Sequence, residues 1–143
     1  MMLRQLVVVG ALNLFASLSP GIDMWGHVGG LVAGAHDVAT GGLGLALAEM
    51  AVRSGFGVNV ARVHDAAELF SESPSRVVLC VDPERLTAIE SACENAGVPV
   101  ARIGVAGGDR ISVKGLLDLP LVDATAAWSN RLSAALGAGT AQD

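Results

Sequence analysis

A chain of 143 residues with 52% hydrophobic and 16% charged side chains fits one domain of ordinary size built round a single core. Nine basic against fourteen acidic residues give a net charge of −5, and Arg53, Arg62, Arg76, Arg85, Arg102, Arg110, Lys114 and Arg131 are scattered singly, which excludes a nucleic-acid surface, since a phosphate backbone needs clustered cations. Cys80 and Cys93, flanked by apolar residues, are expected to be buried reduced thiols, and His27, His36 and His64 lack the short-range partners of a zinc site, so no metal site is expected.

Leu6 to Leu18 is a nearly unbroken apolar run interrupted by Asn13 and Ser17, followed by a Ser19-Pro20-Gly21 break and a second apolar stretch from Val28 to Ala35. Neither run reaches the ~20 residues of a membrane span. Residues 1–35 are therefore expected to be an apolar helical segment, the end of one membrane helix, a turn and the start of another. Arg4 before the apolar run imitates a secretory signal, but no Ala-x-Ala site follows Phe15-Ala16-Ser17.

From Thr40 the pattern becomes that of an α/β (α+β) domain. Thr40 is expected to cap a helix from Gly42 to Arg53, with Leu43, Ala46, Leu47 and Met50 as its buried stripe and Ser54-Gly55 as its end. Val58 to Val63 reads as a strand, His64 to Phe70 as a short helix or turn, and Arg76 to Val81 as a central strand without polar alternation. Asp82 should cap the next helix, with Pro83 at its first position, Leu86, Ile89 and Cys93 pointing inward and Gly97 closing it. Val100 to Val105 and Arg110 to Val113 read as a hairpin around Ala106-Gly107-Gly108-Asp109. A last helix is expected from Pro120 with Leu121, Ala124, Trp128 and Leu132 on one face, then a frayed tail over 138–143. The expectation is a mixed sheet of about four strands covered by helices.

His36-Asp37-Val38-Ala39-Thr40-Gly41-Gly42-Leu43 is the first stretch that could carry chemistry. Two glycines at a helix start let backbone N–H groups approach an anion that the helix dipole also favours, so a phosphate-bearing ligand would suit it. The plainer reading is a tight turn braced by hydrogen bonds from His36 and Asp37. The stretch resembles the His-Asp-Val-Ser-Asp-Gly-Gly-Leu signature of the large subunit of phosphoribosylformylglycinamidine synthase. Ala46 to Met50, Leu69-Phe70-Ser71-Glu72, Ala96-Gly97-Val98-Pro99, Gly108-Asp109-Arg110 and Ala126-Ala127-Trp128 continue the resemblance over residues 36–136.

This resemblance implies a partial C-terminal domain of the aminoimidazole-ribotide-synthetase type over residues 36–137. It also implies an ATP-dependent ligase that converts formylglycinamide ribonucleotide to its amidine in the cytoplasm, with ATP and magnesium as cofactors and with the glutaminase subunit and the small synthase subunit as partners. Ala39-Thr40 replaces the signature's Ser-Asp, so contacts made by those two side chains are not carried over. His36, Asp37, Gly41 and Gly42 are the positions expected to line the substrate or nucleotide cleft. No counterpart of the family's Gly-Asn-Val-Ser metal-binding motif occurs in these residues, so neither ATP nor magnesium is expected to bind tightly and the chain alone is expected to be inactive. Pro20 to Gly34 resembles instead the end of a rhomboid intramembrane protease, with His27 as its base but without its Gly-x-Ser-Gly nucleophile. That likeness supports a different reading, a non-enzymatic interaction module tethered to the inner membrane through residues 1–35. A small acidic nucleotide-binding domain is a third.

Overall fold

The computed structural model describes residues 4–10 and 32–137. His27, the break at Ser19-Pro20-Gly21 and the tail 138–143 lie outside the described residues. Strands β1 (Arg4–Gly10) and β2 (Val32–Asp37) precede helix α1 (Gly42–Ser54); β3 (Val58–Val60), the short α2 (Ala66–Phe70) and β4 (Arg76–Val81) follow. After a 3-10 turn at Pro83–Arg85 come α3 (Leu86–Asn95), β5 (Val100–Ala106), β6 (Arg110–Val113), β7 (Leu117–Pro120) and α4 (Leu121–Gly137).

Among the described residues the strands form one seven-stranded sheet in the order β2-β4-β1-β5-β3-β6-β7. Every neighbouring pair is antiparallel except β3 and β6. The four strands read from the sequence are all present, and β1, β2 and β7 complete the sheet.

The apolar helical segment expected over residues 1–35 is not what its described parts form. Arg4–Gly10 is a strand inserted between β4 and β5, with Val7 opposite Leu79 on one side and Arg102 on the other. Val32 to Ala35 opens β2, which pairs with β4. The physical reason is that an apolar run carries no period to separate strand from buried helix, whereas the β-branched Val7-Val8-Val9 favours the extended chain. The sheet accordingly shows no domain boundary at residue 35.

The expected hairpin of β5 and β6 is also replaced. β3 lies between them, antiparallel to β5 and parallel to β6. Gly57, just before β3, holds the intervening turn by donating to Gly108 O at 2.8 Å and accepting from Gly107 N at 2.7 Å. The hairpin is made one step later, by β6 and β7, with Val113 opposite Leu117.

β4 explains how the layers stack. Val78 and Cys80 face a core made with Leu43, Ala46, Leu47 and Ala51 of α1, Leu69 of α2 and Leu121 of α4. Leu79 and Val81 point the other way, onto Leu86 and Ile89 of α3 and Val98. Burial on both faces is why this strand has no polar alternation. Cys80 is buried and Cys93 half-buried, and they belong to these different faces.

The ends of the helices differ from expectation in three places. α1 is capped by Gly41 in a left-handed conformation rather than by Thr40, and ends as expected at Gly55, whose N–H donates to Ala51 O. Asp82 leads into the 3-10 turn, and α3 begins only at Leu86. Pro120 ends β7 and α4 starts at Leu121. On the expected apolar face of α4, Leu121 is buried and Ala124 packs on the core, while Trp128 is 49% exposed.

Candidate functional site

The four expected cleft residues gather where β2 hands over to α1. His36 and Asp37 end the edge strand, opposite Val78 and Val77 of β4, and Val38 N–H donates to Arg76 O at 2.9 Å to fix the corner. The chain then turns through Ala39 and Thr40 into Gly41 and Gly42, both at positive φ.

The glycines serve the chain's own packing. Gly42 N–H donates to Ala39 O at 3.0 Å, and a Cβ on Gly42 would lie 2.6 to 2.8 Å from the backbone of Phe70 and Ser71. Gly41 N–H donates to Glu72 Oε1 at 2.8 Å. A carboxylate of the chain itself therefore occupies the helix start, where the dipole favours negative charge by about 0.3–1 kcal/mol. As arranged, this helix start does not fit a phosphate: Glu72 would have to withdraw first. Arg76 secures the same loop, with Nη2 donating to Ser71 O at 2.6 Å, while its buried Nε has no hydrogen-bond partner among the described residues.

His36 points along α1 rather than outward. Its Nδ1 lies 2.7 Å from Asp37 O and its Nε2 3.0 Å from Glu49 Oε2, and Arg53 reaches the same Glu49 oxygen at 3.6 Å. Burial of the ring opposes its charge, but the Asp37 carbonyl and the Glu49 carboxylate outweigh that and hold its pKa above the ordinary imidazole value. Asp37, with 74% of its side chain exposed, is the one of the four that faces outward. Of the bracing read for His36 and Asp37, the His36 part is made to Glu49 while the Asp37 side chain stays exposed; Glu72 braces Gly41, and sequence reasoning missed both glutamates. Glu72 lies in the quoted Leu69-Phe70-Ser71-Glu72 stretch, and Glu49 is one helical turn before Arg53, but neither spacing points to the β2–α1 corner. No group of three or more His, Cys, Asp or Glu among the described residues could hold a metal ion.

The family model described as AIR synthase related protein, C-terminal domain, matches residues 19–115. The chain belongs to this family. The match takes in Pro20 to Ala35, so the rhomboid-like reading of that stretch gives way to an AIR synthase related domain that starts before His36. Among relatives of this domain is the phosphoribosylformylglycinamidine synthase subunit PurL of a Nocardioides species, 45% identical over 109 residues, which are 76% of this chain and 14% of the relative. The Thermobifida fusca PurL subunit is 39% identical over 111 residues, 75% of this chain and 14% of that protein. The AIR synthase related domain therefore spans about a seventh of the length of these relatives. The fold likeness extends to the T. maritima PurL structure complexed with FGAR, with a TM-score of 0.65 at 17% identity over 85% of this chain and 28% of that one. The resemblance read from residues 36–136, to the C-terminal part of the PurL large subunit, holds.

Proposed function

We propose that the chain is part of the C-terminal domain of a phosphoribosylformylglycinamidine synthase large subunit, and that its 143 residues by themselves turn nothing over. The observation that supports this most is the 45% identity over 109 residues to a subunit of which the matched part is only 14%. In the parent reaction formylglycinamide ribonucleotide becomes its amidine, with ATP activating the formamide oxygen and ammonia coming from glutamine through the glutaminase subunit, alongside the small synthase subunit. Phosphoryl transfer needs metal and charge positioned round the nucleotide. In this reading those groups belong to other parts of the parent enzyme, and neither ATP nor magnesium binds these residues tightly.

The β2–α1 corner borders the parent's cleft in this proposal. Asp37 faces the cleft, while His36, Gly41 and Gly42 hold the corner's shape. The compartment implied is the cytoplasm, and no helix among the described residues is long and apolar enough to cross a membrane.

Purified chain given formylglycinamide ribonucleotide, ATP, magnesium and ammonia is expected to form no amidine above a boiled control; turnover would refute the inactivity. Transplanting the matching segment into the Nocardioides subunit tests the kinship. That chimaera is expected to retain measurable amidation with its partner subunits, and a folded chimaera with none would overturn the placement.

A further inference from the structure

We propose that His36 is a proton-gated latch at the end of the edge strand β2: with both ring nitrogens protonated it donates to Glu49 of α1 and to the Asp37 carbonyl of β2 itself, and loss of one proton gives up one of these two contacts. β2 ends the sheet, with β4 as its only neighbouring strand among the described residues. It also packs against α1, and His36 makes a polar contact there. Nδ1 faces the Asp37 carbonyl oxygen at 2.7 Å and Nε2 faces Glu49 Oε2 at 3.0 Å. A carbonyl and an ionised carboxylate only accept, so the ring must donate from both nitrogens to satisfy both. A neutral imidazole has one N–H, and either tautomer sets a lone pair against one of these oxygens.

The charges around the ring come from three elements. α1 supplies Glu49 and, beyond it, Arg53, whose Nη2 lies 3.6 Å from the same carboxylate oxygen. β2 supplies Asp37, with Oδ1 at 3.6 Å from Nδ1. β4 places the uncharged Val78 opposite His36, and Arg76, two positions along, is engaged with Ser71. The partial burial of the ring opposes its charge; the two acceptors and two carboxylates favour it, and the net effect raises the pKa. A histidine whose pKa is raised on folding adds stability that is fully present below its unfolded pKa and is lost as pH rises through its folded one.

The test is an NMR titration of the histidine rings in the full chain, with His36 assigned from H36Q, in buffer and in denaturing urea. The ring is expected to titrate at higher pH in the folded chain, and in E49Q to move down toward the unfolded midpoint. Equal midpoints in folded and unfolded chain, or an unchanged midpoint in folded E49Q, would overturn the latch. Hydrogen exchange decides without any variant. As pH rises through the folded midpoint, exchange at the Ala35 to Asp37 amides should accelerate more than at Ile103 in the sheet interior. A constant ratio between the two would refute the proposal.

Discussion

Gly42 and Gly55 bracket α1 with similar backbone twists, φ +65° and φ +74°, in unlike surroundings. Gly55 has open space where a Cβ would go, whereas Gly42 meets the Phe70 and Ser71 backbone. G55A should therefore cost about 1 kcal/mol of left-handed strain. G42A adds an overpacking cost and should lose about 2–4 kcal/mol. Urea unfolding of the two variants measures the difference, and equal losses would mean that the loop does not press on the helix start. Of the residues round this corner, His36, Asp37, Gly41 and Gly42 were legible because they stand together in one signature. Their partners were not: the His36 contact to Glu49 spans 13 residues and the Gly41 contact to Glu72 spans 31, and no local pattern carries such distances.

Elements whose character is set locally were read well. α1 and α3 display their apolar stripes at helical spacing, and β4 announces its double burial by an uninterrupted apolar run. The pairing of β5 with β6 was misread because their separation by β3 is a long-range fact, and β7 escaped because Leu117-Asp118-Leu119-Pro120 is four residues long and ends in proline. The two-sided role of β4 has an energetic counterpart. Leu47 is fully buried on one face of the sheet and Ile89 is 1% exposed on the other. L47A and I89A should each cost about 2–5 kcal/mol. Since the two sites share no core cluster, the double variant should lose their sum to within about 0.5 kcal/mol. A larger coupling, measured by chemical denaturation of all four proteins, would show that the two cores behave as one.

For the molecule as a whole, β1 is the strand that joins β2 and β4 to the other four. Val8 sits opposite Val78 on one side and Ala101 on the other. A proline there removes a ladder donor inside the sheet, whichever neighbour that donor serves. V8P is expected to abolish the cooperative thermal transition followed by circular dichroism. An unchanged midpoint would show that the sheet stands without this strand. β1 was hidden in the sequence because an apolar run is equally at home in a membrane helix, a core helix and a buried strand, and only its neighbours decide.

The position of β1 also dictates an order of events during synthesis. Its valines leave the ribosome long before Leu79 and Arg102, the residues that flank Val7 in the finished sheet. Until then a β-branched apolar segment waits with its backbone unsatisfied, the kind of segment that joins neighbouring nascent chains. Yield in a cell should consequently depend on chaperone supply and translation speed more steeply than the stability of the folded chain would suggest.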